Sequence, residues 1–176
     1  WGGWVSGAGA TSSWGPVTVA DTSGTWWNAY AQDSLGATSG WSGSWYLKKD
    51  TVAPVARLTV TPSGWTNGNP TWDWSTSTDD RSGLRSPNRY YYYLDGAAQG
   101  YTDSTSWAPN LSNGSHYVQV YAFDNAGNWG LSSPVYGYVD KTAPALSASV
   151  APAGWTSGNP TWSWSASDAA SGLRSP

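Results

Sequence analysis

Between Thr51 and Asp140, apolar side chains recur at every second position in short bursts. Ala56, Leu58 and Val60 alternate with polar or charged neighbours, Trp72 and Trp74 flank Asp73, and Val118, Val120 and Ala122 alternate with bulkier polar or aromatic groups. Successive side chains of an extended chain point to opposite faces, so each burst predicts a strand with one face committed to a core. Both indoles of the Trp72, Trp74 pair are expected on that face, with at least Trp74 mostly buried. The run Tyr90 to Leu94 leads into Asp95-Gly96, and Asp124-Asn125-Ala126-Gly127-Asn128 separates two further strand candidates. Both punctuations read as hairpin turns, because Asn, Asp and Gly tolerate positive φ. Val135 to Val139 closes the series. No window carries an apolar period of 3.6 with helix caps, so no helix is expected.

The pattern is itself repeated. The segment from Gly64 through Trp65, Pro70, Trp72 and Trp74 to Ser75 returns from Gly154 through Trp155, Pro160, Trp162 and Trp164 to Ser165, a shift of 90 residues from Pro70 to Pro160. Ser82-Gly83-Leu84-Arg85-Ser86-Pro87 returns as Ser171-Gly172-Leu173-Arg174-Ser175-Pro176, one residue closer, and loops absorb such a loss at least cost. Asp50 to Pro54 matches Asp140 to Pro144, Tyr30 to Asp33 matches Tyr121 to Asp124, and Ser13 to Pro16 matches Ser106 to Pro109. The expected organisation is therefore the rear half of one repeat over residues 1–50, a complete repeat over 51–140, and the front half of the next over 141–176. A unit of about 90 residues suits a seven-strand antiparallel sandwich, which takes roughly 100. Proline in the linker Asp140-Lys141-Thr142-Ala143-Pro144 fixes φ and biases its neighbour toward an extended conformation, as a stiff rod requires.

The Asp-x-x-Ala-Pro linker, the loop Asp79-Asp80-Arg81-Ser82-Gly83-Leu84, Tyr93-Leu94-Asp95-Gly96, and Tyr121-Ala122-Phe123-Asp124-Asn125-Ala126-Gly127-Asn128 together resemble the bacterial immunoglobulin-like tandem repeats of large surface or secreted proteins. The resemblance covers the central repeat fully and the flanking halves in part. It implies an all-β fold of tandem immunoglobulin-like antiparallel β-sandwich repeats, used as stalks, spacers or adhesive segments outside the cell or on its surface. This chain departs from the pattern in its wealth of Trp and Tyr. Its first copy reads Asp33-Ser34-Leu35-Gly36 at the second hairpin turn.

Composition narrows the picture further. Fifteen Trp and eleven Tyr supply the apolar surface that a Gly- and Ser-rich chain otherwise lacks, so folding is expected over disorder. A formal net charge of −3 without a basic cluster speaks against nucleic acid. Cysteine is absent, and no apolar run approaches the roughly 20 residues that span a bilayer. Both ends fall at nearly the same phase of the repeat, Trp1 near Leu94 and Pro176 at Pro87, so the sequence reads as an excerpt of about two repeats.

Catalysis needs convergent titratable groups, and one His, no Cys and few carboxylates offer none, so no enzyme and no cofactor are expected. His116 follows the Asn113-Gly114-Ser115 turn and reads as a solvated strand-edge residue. Asp124, Asn125 and Asn128 lack the spacing of a calcium loop, and Asp79-Asp80 becomes Asp168-Ala169-Ala170 in the matching loop of the third copy, so all five read as turn supports rather than metal ligands. Asn110-Leu111-Ser112 and Asn113-Gly114-Ser115 are formal glycosylation sequons that also read as turns.

The aromatics remain. If Val118, Val120 and Ala122 face the core, Tyr117, Gln119, Tyr121 and Phe123 face away from it, and Trp26, Asn28 and Tyr30 do so in the preceding copy. These seven form the candidate interaction face, unless loops or a neighbouring repeat cover them. The expected function is a structural component of an extracellular or cell-surface fibre, stalk or adhesin that self-associates head-to-tail or laterally. The alternatives are a carbohydrate-binding module stacking sugars on exposed rings, or an accessory domain of a secreted hydrolase.

Overall fold

In a computed structural model the structure describes Asp21, residues 24–33 and residues 35–175. The alignments anchored on Trp1, on Ser13 to Pro16 and on Pro176 lie outside the described residues. The chain divides into two compact units, residues 1–52 and 53–176. The described residues contain strands, turns and bends, and no helix.

In the first unit, β1 (Thr25–Trp27) and β2 (Trp45–Leu47) pair antiparallel, with Trp26 opposite Tyr46. The Asp33 turn forms: its carboxylate accepts from the Leu35 and Ala37 amides at 2.9 Å each, and Gln32 bridges Thr38. The second unit holds β3 (Thr59–Thr61), β4 (Trp65–Thr66), β5 (Thr71–Asp73), β6 (Tyr90–Leu94), β7 (Ala97–Thr102), β8 (Ser106–Trp107), β9 (Gly114–Phe123), β10 (Trp129–Leu131), β11 (Val135–Val139), β12 (Ala145–Ala151) and β13 (Thr161–Ser167). Strands β3-β5-β8 form one sheet and β4-β11-β9-β6-β7 another, with β10 also on β9. The two sheets face one another as a β-sandwich.

Among the described residues every strand pair is antiparallel except β4 with β11, where Tyr138 opposes Trp65 and Val139 opposes Thr66 in parallel. This parallel contact is two residues long, at the edge of an otherwise antiparallel sandwich. After β3 the chain leaves its own sheet and reaches the edge of the other without a hairpin, so no tight turn dictates its direction there.

The core lies between the sheets. Trp72, Trp74, Val118, Val120, Ala122 and Val139 are fully buried, with Tyr90 at 1 % exposure, and Ala56, Leu58, Val60 and Tyr92 pack around them. The indole N–H groups keep partners: Trp72 Nε1 donates to the Val135 carbonyl at 2.9 Å and Trp74 Nε1 to the Ser104 carbonyl at 2.7 Å. A Cβ on Gly137 would lie 2.9 Å from both Pro70 Cγ and Trp72 Cζ2, so glycine is what lets β11 close on the indole. Between β10 and β11 the chain leaves β9 and returns. Buried Ser132 bridges the gap by donating its amide to the Val120 carbonyl and accepting the Val120 amide on Oγ.

Strands β12 and β13 form a separate hairpin. Val150 opposes Trp162 as Val60 opposes Trp72, a shift of 90 residues in both strands. The first unit shows the same correspondence with β9, β10 and β11: Trp26 opposite Tyr46 falls where Tyr117 opposes Tyr136, and Gln32 opposite Thr38 where Phe123 opposes Trp129. Ser42 stands to Ala29 as Ser132 stands to Val120, exchanging the same two hydrogen bonds at 2.7 and 2.8 Å.

Candidate aromatic interaction face

The run of four tyrosines in β6 is split by the pleat. Tyr90 and Tyr92 enter the core, while Tyr91 and Tyr93 lie on the opposite surface of the sheet beside Tyr121 and Phe123 of β9. The neighbouring strands add Tyr101 from β7 and Trp129 from β10. The turn Asp95-Gly96, with φ of 50° and 79°, is of the tight type that matches strand twist, and it sets β7 beside β6 so that Tyr91 opposes Tyr101. Across β9, Trp129 opposes Phe123.

The rings touch edge to face more than they stack. Tyr91 and Tyr101 have centroids 4.8 Å apart at 72°, Tyr121 and Trp129 5.3 Å at 66°, and Tyr91 and Tyr93 5.4 Å at 63°. Tyr121 and Phe123 stack at 28°, 6.4 Å apart. Six rings line a shallow hollow of about 470 Å³. The Arg85 guanidinium lies 4.6 Å from the Phe123 centroid and 5.6 Å from that of Tyr101, adding a cation to a face of neutral phenols. Burial, with the phenols of Tyr91, Tyr121 and Tyr101 nearby, pushes the Tyr93 hydroxyl above the usual tyrosine range.

The predicted residues divide accordingly. Tyr121 and Phe123 sit at the centre of this lattice, half-buried by neighbouring rings. Tyr117 lies farther along β9 and meets Tyr136 at 5.4 Å, and the Gln119 side chain reaches the Ser132 carbonyl at 3.4 Å. Trp26, Asn28 and Tyr30 are exposed in the first unit, where Trp26 meets Tyr46 at 4.6 Å and Tyr30 meets Trp41 at 4.5 Å. Sequence reasoning missed Tyr91, Tyr93, Tyr101, Trp129 and Arg85. Alternation within the tyrosine run held the signal for Tyr91 and Tyr93. Nothing local marks Arg85, which arrives from a loop.

The remaining candidates make local hydrogen bonds, with one correction. His116 is not solvated: its side chain is 14 % exposed, Nδ1 lies 2.7 Å from Asp95 Oδ2, and Nε2 lies 3.1 Å from the Ser112 carbonyl. The Asp95 turn that follows β6 folds back over β9, also accepting the Tyr117 amide at 2.8 Å, and covers the imidazole. Asp79 Oδ1 accepts the Arg81 and Gly83 amides, and Asp168 Oδ1 accepts those of Ala170 and Gly172 in the later loop. Buried Asp124 takes the Asn128 amide and side chain, while Asn125 Nδ2 donates to the Ser82 and Gly83 carbonyls. Carboxylate oxygens of Asp79 and Asp124 lie within 4.8 Å of each other. Asn113 holds the linker through the Lys141 amide and the Thr142 hydroxyl, and Lys141 Nζ reaches the side chains of Asn69 and Asn110.

No family model and no curated protein matches the sequence. Among solved structures, the chain is similar to the fibronectin(III)-like modules of Clostridium thermocellum CbhA, with a TM-score of 0.38 and 22 % identity over 67 % of this chain. The match spans 63 % of that structure's length.

Proposed function

We propose that the chain is a non-catalytic extracellular segment of a tandem-repeat fibre, stalk or adhesin, and that the outer aromatic face of its larger sheet is the surface by which it associates laterally. The observation that carries the reading is the recurrence of an outer ring pair on that sheet, while the positions of Phe123 and Trp129 hold Gln32 and Thr38 in the first unit. Cross-strand ring pairs stand at matching register positions in both units, Tyr117 with Tyr136 and Trp26 with Tyr46. A core needs no rings there, because Val118, Val120 and Ala122 already fill it from the other side of β9. Contiguous apolar surface outside the core is a feature of interaction sites.

Ring geometry favours protein packing over sugar stacking. A sugar platform needs coplanar rings, and most pairs around the hollow are inclined by 51° to 72°. Interlocking with the edges of a second aromatic face suits inclined rings. The test is the double substitution Tyr101→Ser with Trp129→Ser, chosen because both rings are more than half exposed. Sedimentation is expected to show at least tenfold weaker lateral association with an unchanged melting temperature, and a glycan array is expected to stay blank. Glycan binding that disappears in the double variant would replace this reading with the carbohydrate-binding one.

A further inference from the structure

The chain contains no Cys and no Met, the side chains that oxidants ordinarily attack first, so its fifteen Trp and eleven Tyr are left as the oxidisable groups. On the outer face of the larger sheet these rings form a connected path. Tyr101 of β7 and Trp129 of β10 stand on opposite sides of the hollow and are 56 % and 57 % exposed. Between them run contacts from Trp129 to Tyr121 at 5.3 Å, Tyr121 to Tyr93 at 6.0 Å, Tyr93 to Tyr91 at 5.4 Å and Tyr91 to Tyr101 at 4.8 Å. The last is the closest tyrosine pair on this face. Its two residues oppose each other directly across β6 and β7, where cross-strand Cβ atoms stand about 4.5–5.5 Å apart. With the planes at 72°, the edge that carries the ortho carbons of one phenol meets the other ring.

We propose that Tyr91 and Tyr101 are an oxidative cross-linking site, joined as a dityrosine within one chain by a peroxidase-class oxidant that uses hydrogen peroxide. Two phenols each give up one electron and one proton, and the resulting tyrosyl radicals join through a carbon–carbon bond between their ortho positions. The two ortho hydrogens then move to the oxygens, which restores both phenols. The pair loses two hydrogens in all, and one peroxide takes them up as it is reduced to two waters. Both radicals must stand on neighbouring rings at once, and the path supplies them. One oxidation enters at exposed Tyr101. The other enters at exposed Trp129, whose radical takes an electron and a proton from Tyr121, and the same exchange through Tyr93 brings the radical to half-buried Tyr91. Among the described residues β7 has β6 as its one strand partner, so the bond would fasten an edge strand to its sheet in a chain without disulfides. Both rings belong to one chain, and the site stands independently of lateral association.

The test treats the full chain, in dilute solution, with a haem peroxidase and hydrogen peroxide, then unfolds it and cleaves before aspartate. Residues 80–94 carry Tyr90 to Tyr93, and residues 95–102 carry Tyr101 alone. These two peptides are expected as a linked pair, lighter by two hydrogens than their sum and showing the blue fluorescence of dityrosine, with fragmentation placing the bond on Tyr91. Tyr91→Phe should lose the product, and Tyr92→Phe, on the core side of the same strand, should keep it. Trp129→Phe should slow its formation, since phenylalanine keeps the packing and cannot carry the oxidation. Absence of the linked pair after oxidation overturns the site. A bond from Tyr101 to Tyr101 of a second copy in its place, or a yield in Tyr91→Phe equal to the parent's, does the same. An unchanged rate in Trp129→Phe overturns the route through the rings.

Discussion

The hairpins β3–β5 and β12–β13 have the same register and both carry Pro, Thr, Trp, polar, Trp in order, yet one hides its indoles completely and the other leaves them about three-quarters exposed. Strand formation is thus local, decided by alternation and turn residues. Burial is not local, because it needs the sheet opposite. Removing some 150–250 Å² per indole from water at about 25 cal/mol per Å² makes the difference on the order of 4–6 kcal/mol per ring as an upper bound.

The largest effect should come from cutting the same atoms out of each hairpin. Trp74→Ala opens a cavity in the core and strands the Ser104 carbonyl that its indole bonded, so a loss of about 3–5 kcal/mol is expected in urea unfolding followed by circular dichroism. Trp164→Ala, in dilute monomeric protein, should change the same transition by less than about 0.5 kcal/mol. Equal losses at the two positions would erase the distinction between covered and open hairpins.

The contrast also explains what the sequence made legible. Alternation in Val118, Val120 and Ala122 and the paired indoles named the core strands and their inward faces, and the Asp95-Gly96 and Asp124 to Asn128 turns fell where β6–β7 and β9–β10 reverse. These signals are carried by neighbouring residues. Three features depend on residues distant in the chain and left no such trace. The parallel contact of β4 with β11 joins Trp65 to Tyr138, Arg85 reaches Phe123 from a loop, and Asp95 covers His116 from across a hairpin. Self-similarity located the candidate face on β9, and only the strands beside it revealed Tyr91, Tyr93, Tyr101 and Trp129.

A second contrast lies in how carboxylates hold the two regions. Asp103 accepts the Arg89 and Asn88 amides in the central sandwich, and those bonds hold it below the usual carboxylate range. Asp140 is lowered by hydrogen bonds from the Ser171 side chain, the Thr142 amide and the Ser171 amide, which tie the loop after β13 to the linker. A folded-state pKa below the unfolded value contributes stability that is present above about pH 4 and is lost as pH falls through the folded value. The melting temperature should therefore be flat above about pH 5 and decline below about pH 4. Asp103→Asn should flatten that decline in the sandwich transition, while Asp140→Asn should instead raise amide exchange at Ser171. An acid decline unaltered by Asp103→Asn would remove this residue from the account.

The smallest expected effect concerns a position where the first unit and the central sandwich differ. Leu47 opposes Thr25 where Gly137 opposes His116, so a leucine stands where the central sandwich has room for no side chain against Pro70 and Trp72. Leu47 is half-exposed, so Leu47→Gly should cost no more than about 1 kcal/mol in urea unfolding. The converse change, Gly137→Leu, should destabilise the central sandwich in urea by a larger amount, because Trp72 there has no free space into which to move. Equal losses at the two positions would show that β11 does not need a glycine at 137 to close on the indole.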